Sequence, residues 1–206
     1  MSKKPWNEDC NCLDCELQGK LMCNPRLKYS LYFGLPMLLG ILPPIIGIVI
    51  SEFSLLIKIL IFMGWLIYAL FFFMIWESRI ICNHCPYYSD DSQKTLHCPI
   101  NKGILKTSKY DPRPINSFEK IQFIIGAIIL IGFPIPFLVI KRQYLPILFL
   151  IGGTVIWIIV IQLKVCSDCI NFSCVLNRVP ENLRNEFLKK NPIIQKAWEE
   201  EGYEIK

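Results

Sequence analysis

The chain has 206 residues, a formal charge of +5, ten cysteines, two histidines and a mean hydropathy of +0.40. Its apolar share of 53% is high for a soluble globular chain and is concentrated in a few blocks, which excludes an ordinary soluble domain. The basic excess is explained by membrane topology and anionic head groups, so nucleic acid is not expected as a partner.

Four nearly uninterrupted apolar stretches, 31–50, 55–76, 121–140 and 145–163, each approach the ~20 residues a helix needs to cross the hydrocarbon core. They almost entirely lack the polar face that the helices of a soluble protein would carry. The expected fold is therefore all-α: a polytopic membrane protein of four transmembrane helices. Five regions follow: a Cys-rich head (1–30), a first hairpin (31–76), a Cys/His loop (77–120), a second hairpin (121–163), and a Cys motif with a helical tail (164–206).

Residues 1–28 are polar and make no cleavable signal, so the first span is expected to direct insertion itself. Nineteen of the 22 Lys and Arg lie in the head, the middle loop and the tail; only Lys58, Lys141 and Arg142 lie on the other side. The positive-inside rule then makes both termini and the loop cytoplasmic, most simply at the plasma membrane. All ten cysteines fall on that side, where thiols are normally kept reduced, so a disulfide framework gives way to metal or redox chemistry.

In the first span, Pro43-Pro44 removes two backbone donors at mid-membrane, which predicts a kink. Lys58 should snorkel to the outer head groups and Trp76 should sit at the inner interface. Asp111-Pro112-Arg113-Pro114 is an extended approach to the third span, capped by Asn116 or Ser117 with Glu119 in the first turn. The third span echoes the first: Gly34, Gly40 and Pro44 return 92 residues later as Gly126, Gly132 and Pro136, and Trp65 returns as Trp157. A tandem repeat of two kinked-helix hairpins about an axis along the membrane normal is expected. In the tail, Pro180 and Pro192 open two amphipathic helices and Gly202 closes the second; they are expected to cover the cysteine sites.

Nine cysteines form three triplets: Cys12, Cys15 and Cys23; Cys82, Cys85 and Cys98; Cys166, Cys169 and Cys174. The last two triplets share a pattern: Cys-x-x-Cys, an aromatic three residues on, then a third Cys with Asn three residues beyond it. Cys-x-x-Cys lets two thiolates grip one ion, and a further pair, Cys or His completes a tetrahedron. Cys10, His84 and His97 are the candidate additional ligands. The C-terminal triplet lacks a nearby His and would take Cys10, Asp168, a partner chain or the facing triplet. Spacing favours zinc; iron–sulfur ligation is the alternative, since soft thiolates suit both. Thiol cycling ranks lower, because no thioredoxin-like pattern surrounds the pairs.

No His lies within a span, which excludes bis-His haem there, and no acidic residue, Arg or His lies in a span interior, which disfavours a pump. No phosphate loop, G-x-S-x-G or H-E-x-x-H occurs. The matched Gly/Pro breaks could mark a midplane site, although close packing through small residues explains them more simply. Four spans with cytoplasmic ends and a Cys-rich loop between the second and third resemble the protein S-acyltransferases. Their reactive Asp-His-His-Cys is absent, since Thr95-Leu96 precedes His97-Cys98, so the resemblance implies the layout alone. Three functions are expected in order: a zinc-stapled scaffold or interaction cap, a redox protein with iron–sulfur clusters or cycling thiols, and a small transporter or lipid-handling enzyme. The bilayer is the expected partner, with a cytoplasmic protein or a second copy beside it.

Overall fold

The computed structural model describes residues 17, 19–22, 26–89, 94–96, 98 and 100–205. Cys10, Cys12, Cys15, Cys23 and His97 lie outside the described residues, and so does most of the 1–30 head. The described chain is all-helical, with eight α-helices and no strand, apart from one isolated bridge between Thr95 and Leu105.

Four helical runs are long and apolar enough to cross a membrane: Leu27–Ile50, Leu55–His84, Ser117–Ile140 and Tyr144–Lys164. Only 11 to 22% of their most apolar windows is buried in the bundle, so most of their Leu and Ile side chains face outward. Water would expel that surface and hydrocarbon accepts it. The first run is α1 (Leu27–Ile50), which stays helical through Pro36, Pro43 and Pro44. The second is α2 (Leu55–Phe71), a π turn at Phe72–Trp76, α3 (Glu77–Ile80) and a 3-10 turn, Cys82–His84; another 3-10 turn, Pro86–Tyr88, follows it. Helix thus continues beyond Trp76 and delivers the first Cys-x-x-Cys directly. The third run is α4 (Ser117–Gly132) and α5 (Ile135–Ile140), parted at Pro134, and the fourth is α6 (Tyr144–Lys164).

Local signals fix the ends. Asn116 caps α4 by accepting from the Glu119 N–H at 2.9 Å, and Glu119 answers by accepting from the Asn116 N–H at 2.9 Å. Arg113 grips Glu119 through two bonds of 2.7 and 3.0 Å, tying the extended approach to the helix start. At the far end Lys58 Nζ donates to Val49 O at 2.6 Å, satisfying a terminal carbonyl of α1.

The helices pack as two pairs, α1 with α6 and α2 with α4. At the first crossing, a Cβ on Gly153 would fall 2.5 Å from Gly40 N, so backbone meets backbone. Trp157 Nε1 donates to Phe33 O at 2.8 Å along the same pair. The second pair is held by rings: Trp65 Nε1 donates to Leu130 O at 3.0 Å, and Tyr68 Oη to Gly126 O at 3.1 Å. Of the four matched glycines, Gly40 and Gly126 sit at contacts, whereas an added Cβ at Gly34 or Gly132 would meet nothing within 4 Å.

Beneath one end of the bundle lies the cap. α7 (Glu181–Lys190) and α8 (Pro192–Glu200) bury Phe187, Leu188, Ile194 and Trp198 against Cys85, Tyr87, Ile170 and Phe172. Leu17 and Leu21 join the same cluster. Gly202, at φ +83°, turns the chain after α8 so that Tyr203 can donate to Asn185 Oδ1 at 2.7 Å.

Candidate functional site

The site starts at the end of the second apolar helical run. Cys82 follows α3 almost at once, and the Cys85 N–H closes a turn on Cys82 O at 2.9 Å. Pro86 then starts a second tight turn, in which the Tyr88 N–H donates to Cys85 O at 2.8 Å. The aromatics after the pair pin this knuckle. Tyr87 Oη donates to Met22 O at 2.6 Å, and Tyr88 Oη donates to Ser108 O at 3.0 Å.

The second triplet leaves α6 in the same manner. Cys166 and Asp168 close turns on Ile161 O and Val165 O, and Cys174 closes one on Asn171 O. The Asn placed three residues after each third cysteine does a different job in each copy. Asn101 Nδ2 donates to Cys82 Sγ at 3.3 Å and to Glu77 Oε1 at 3.1 Å. Asn177 Nδ2 donates to Cys169 O at 2.7 Å and Asn171 O at 3.0 Å, holding its own loop closed.

The two triplets meet. Asn171 Nδ2 reaches across to Ile81 O at 2.9 Å, next to Cys82. Cys82 lies within electrostatic reach of Cys98 and Cys174, and Cys85 within reach of Cys98 and Cys169. All six described cysteines are free thiols, and all six line one cavity of about 510 Å³ beneath and between the helices.

Their sulfurs share a further feature. Backbone N–H groups act on four of them to favour the charged form: that of Tyr87 on Cys85, those of Asn101 and Ile100 on Cys98, that of Asn171 on Cys169, and those of Leu176 and Asn177 on Cys174. In each case one such donor is two residues further on, which is how a tight turn aims an N–H at sulfur. Such donors favour the thiolate. Burial works the other way, pushing Cys85, Cys98, Cys169 and Cys174 up and Cys166 to about 12; neighbouring thiols add to the rise at Cys85, Cys166 and Cys169, and Glu77 adds to it at Cys98 and Cys174. Turn-borne amides prepare these sulfurs for negative charge that the low-dielectric surroundings will not tolerate without a cation. Among the described residues, no three Cys, His, Asp or Glu side chains are grouped closely enough to hold one metal ion.

His84 is engaged elsewhere. Its Nδ1 lies 3.1 Å from both Asp111 O and Arg113 O, and Nε2 lies 3.6 Å from Glu119 Oε1, so it braces the approach to α4 and does not line the cavity. Asp168 is likewise occupied, accepting from Tyr29 Oη at 3.0 Å and from Ser167 Oγ at 2.9 Å.

Glu77 is the residue that sequence reasoning missed. It follows Trp76 at one end of an apolar stretch, where a charge reads as an ordinary interfacial anchor. The π turn just before it adds a residue and shifts the helix phase, and Glu77 lines the thiol cavity. Its Oε2 is shut off from solvent and has no hydrogen-bond partner among the described residues. No family model, curated protein or solved structure matches the chain.

Proposed function

We propose that this chain is a membrane redox protein whose two facing cysteine triplets hold an iron–sulfur centre at the base of a four-helix bundle. The carrying observation is the ring of sulfurs: six thiols around one cavity, four of them each receiving the backbone N–H two residues on. A single Zn²⁺ needs its four ligands drawn together at ~2.3 Å from one point. A cluster spreads its thiolates around a volume and takes hydrogen bonds on sulfur, which tune its potential. The spaced, amide-bonded, mutually repelling set suits the second demand. Four of Cys82, Cys85, Cys98, Cys166, Cys169 and Cys174 would supply the ligands of one cluster, and its iron would offset the thiolate charge that burial opposes.

On this reading the thiol end faces the cytoplasm, the side the Lys/Arg bias favours, at the plasma membrane, and a soluble redox partner or a second copy docks at the cap. The tandem repeat belongs to the same proposal. Trp65, in the second span, bonds the third, and Trp157, in the fourth, bonds the first, as a two-fold along the membrane normal would arrange them. The matched Pro44 and Pro136 belong to the same proposed repeat.

A second reading is a zinc-stapled interaction cap. It is favoured by the docking of Leu17 and Leu21 on the cap, which ties the Cys-rich head to the other two triplets. Anaerobic purification separates the readings. The redox reading expects a brown protein with broad visible absorption, iron and acid-labile sulfide in near-equal amounts, and bleaching by dithionite. Colourless protein with stoichiometric zinc overturns it in favour of the stapled cap. Colourless protein free of iron and zinc overturns both. Serine at Cys85 and Cys169 together should remove the colour.

A further inference from the structure

The cavity that carries the thiols at one end continues up between the two helix pairs. Its volume of about 510 Å³ falls in the roughly 300–1,000 Å³ typical of small-molecule sites. Rings form much of the wall: Phe62, Trp65, Phe72 and Phe123 on one side, Phe33 and Trp157 on the other. Both indole N–H groups are already committed, to Leu130 O and Phe33 O, so the tryptophans offer the cavity only their apolar surfaces. No Lys or Arg is among the described residues that line it. A phospholipid phosphate would therefore enter without a counter-charge, at the cost of burying a bare anion.

The polar end has a different character. Beside the sulfurs stand Asn101, Asn171 and Glu77, and Glu77 Oε2 is a buried acceptor to which no described residue donates. An orphaned buried acceptor costs stability unless something completes it. The complementary occupant is uncharged and flat-headed, with a long apolar tail and a head that can donate to a carboxylate oxygen.

We propose that this cavity binds an isoprenoid quinone–hydroquinone, with the ring at the thiol end and the tail among the aromatic side chains. The hydroquinone O–H donates to Glu77 Oε2, and Glu77 binds the ring without ligating metal. The proposal rests on the redox reading, because a quinone is a membrane-borne electron carrier that a cluster at the cavity's base would serve.

The test uses the full chain, purified anaerobically and placed in nanodiscs of quinone-free phosphatidylcholine. Menadione, and menadiol under argon, are titrated while tryptophan fluorescence is followed, since Trp65 and Trp157 line the site. Saturable quenching is expected. Ala127→Phe and Ala69→Phe, which fill the cavity from opposite pair members, should each weaken it at least ten-fold. Gly152→Ala, whose added Cβ meets open space, should leave it within two-fold. Glu77→Leu should weaken menadiol at least ten-fold and menadione far less. An organic extract of protein taken from its native membrane should contain about one quinone per chain.

Linear, unsaturable quenching overturns the proposal. So does equal quenching in wild type and in whichever filled variant folds, or retention of phospholipid in place of quinone. Iron and sulfide are measured on the same samples, so loss of the cluster reading with quinone binding intact, or the reverse, is seen directly.

Discussion

The two helix pairs solve the same problem in opposite ways. α1 and α6 meet at Gly40 and Gly153, where backbone touches backbone and the seam admits no side chain. α2 and α4 are held apart by large rings, with Trp65 and Tyr68 bonding across to carbonyls of the partner helix. Small residues in a membrane gain dispersion contact where no hydrophobic driving force acts between helices. Rings on the other pair keep a volume open, and the thiol cavity lies between the pairs. A tight seam beside a propped seam gives a rigid wall facing an adaptable one.

The largest effect should come from breaking the tight seam. Gly153→Val places a Cβ against the Gly40 backbone, which cannot rotate away, and should cost more than about 3 kcal/mol. Detergent-solubilised variant should run as aggregate or melt far below wild type in size-exclusion and thermal assays. A melting point within ~2 °C of wild type would show that the seam is not a backbone contact.

The cap should answer to pH. Cys85, Cys98, Cys166, Cys169 and Cys174 all have folded-state values above the ordinary thiol range, chiefly through burial. Folding then favours the protonated forms, so chelator-stripped protein is most stable below pH ~8.5 and loses stability as pH rises through the folded values. Metal-loaded protein should behave in the reverse sense, losing metal as pH falls, because protons compete for the sulfurs. Thermal melts of both forms between pH 6 and pH 10 check this. A stripped protein whose melting point is flat across that range would contradict the buried-thiol arrangement.

Between triplets, Asn171→Ala removes the side chain that satisfies Ile81 O across the motif interface. A loss of about 1–3 kcal/mol is expected from the stranded carbonyl. Metal content should fall with it if the two triplets serve one centre. Unchanged metal stoichiometry at reduced stability would instead leave each triplet with its own site.

Much of this organisation was legible in the residues, for particular reasons. The spans were visible because hydrocarbon demands long apolar runs and little else. The Asn116–Glu119 cap was visible because a capping box is local in sequence. Pro192 opens α8 and Gly202 ends it for equally local reasons. Pairing was not legible: which helix faces which depends on where Gly153 falls relative to Gly40, 113 positions apart. The matched glycines were weak guides, since Gly34 and Gly132 meet nothing while Gly153, outside the repeat pattern, makes the closest approach. Glu77 escaped because its meaning comes from the π turn before it and from Asn101 beyond the loop. His84 looked like a ligand by adjacency to Cys85, yet the 111–119 segment folds back to claim it.

The smallest expected effect is the sharpest probe of the contrast. Gly152 and Gly153 are neighbours on α6, equal in sequence terms and both flexible. An α-helix turns about 100° per residue, so the two point in different directions. Gly153 points at α1, and an added Cβ there meets three backbone atoms at 2.5 to 2.7 Å; an added Cβ on Gly152 meets nothing within 4 Å. Gly152→Ala should therefore be neutral or stabilising by up to about 1 kcal/mol, the ordinary helix-propensity gain over glycine. Beside the loss predicted for Gly153→Val, that sign change across one peptide bond would locate the seam to a single face of α6. Comparable destabilisation by both substitutions would mean that the helix is strained as a whole, and the tight-seam account of the α1–α6 pair would fail.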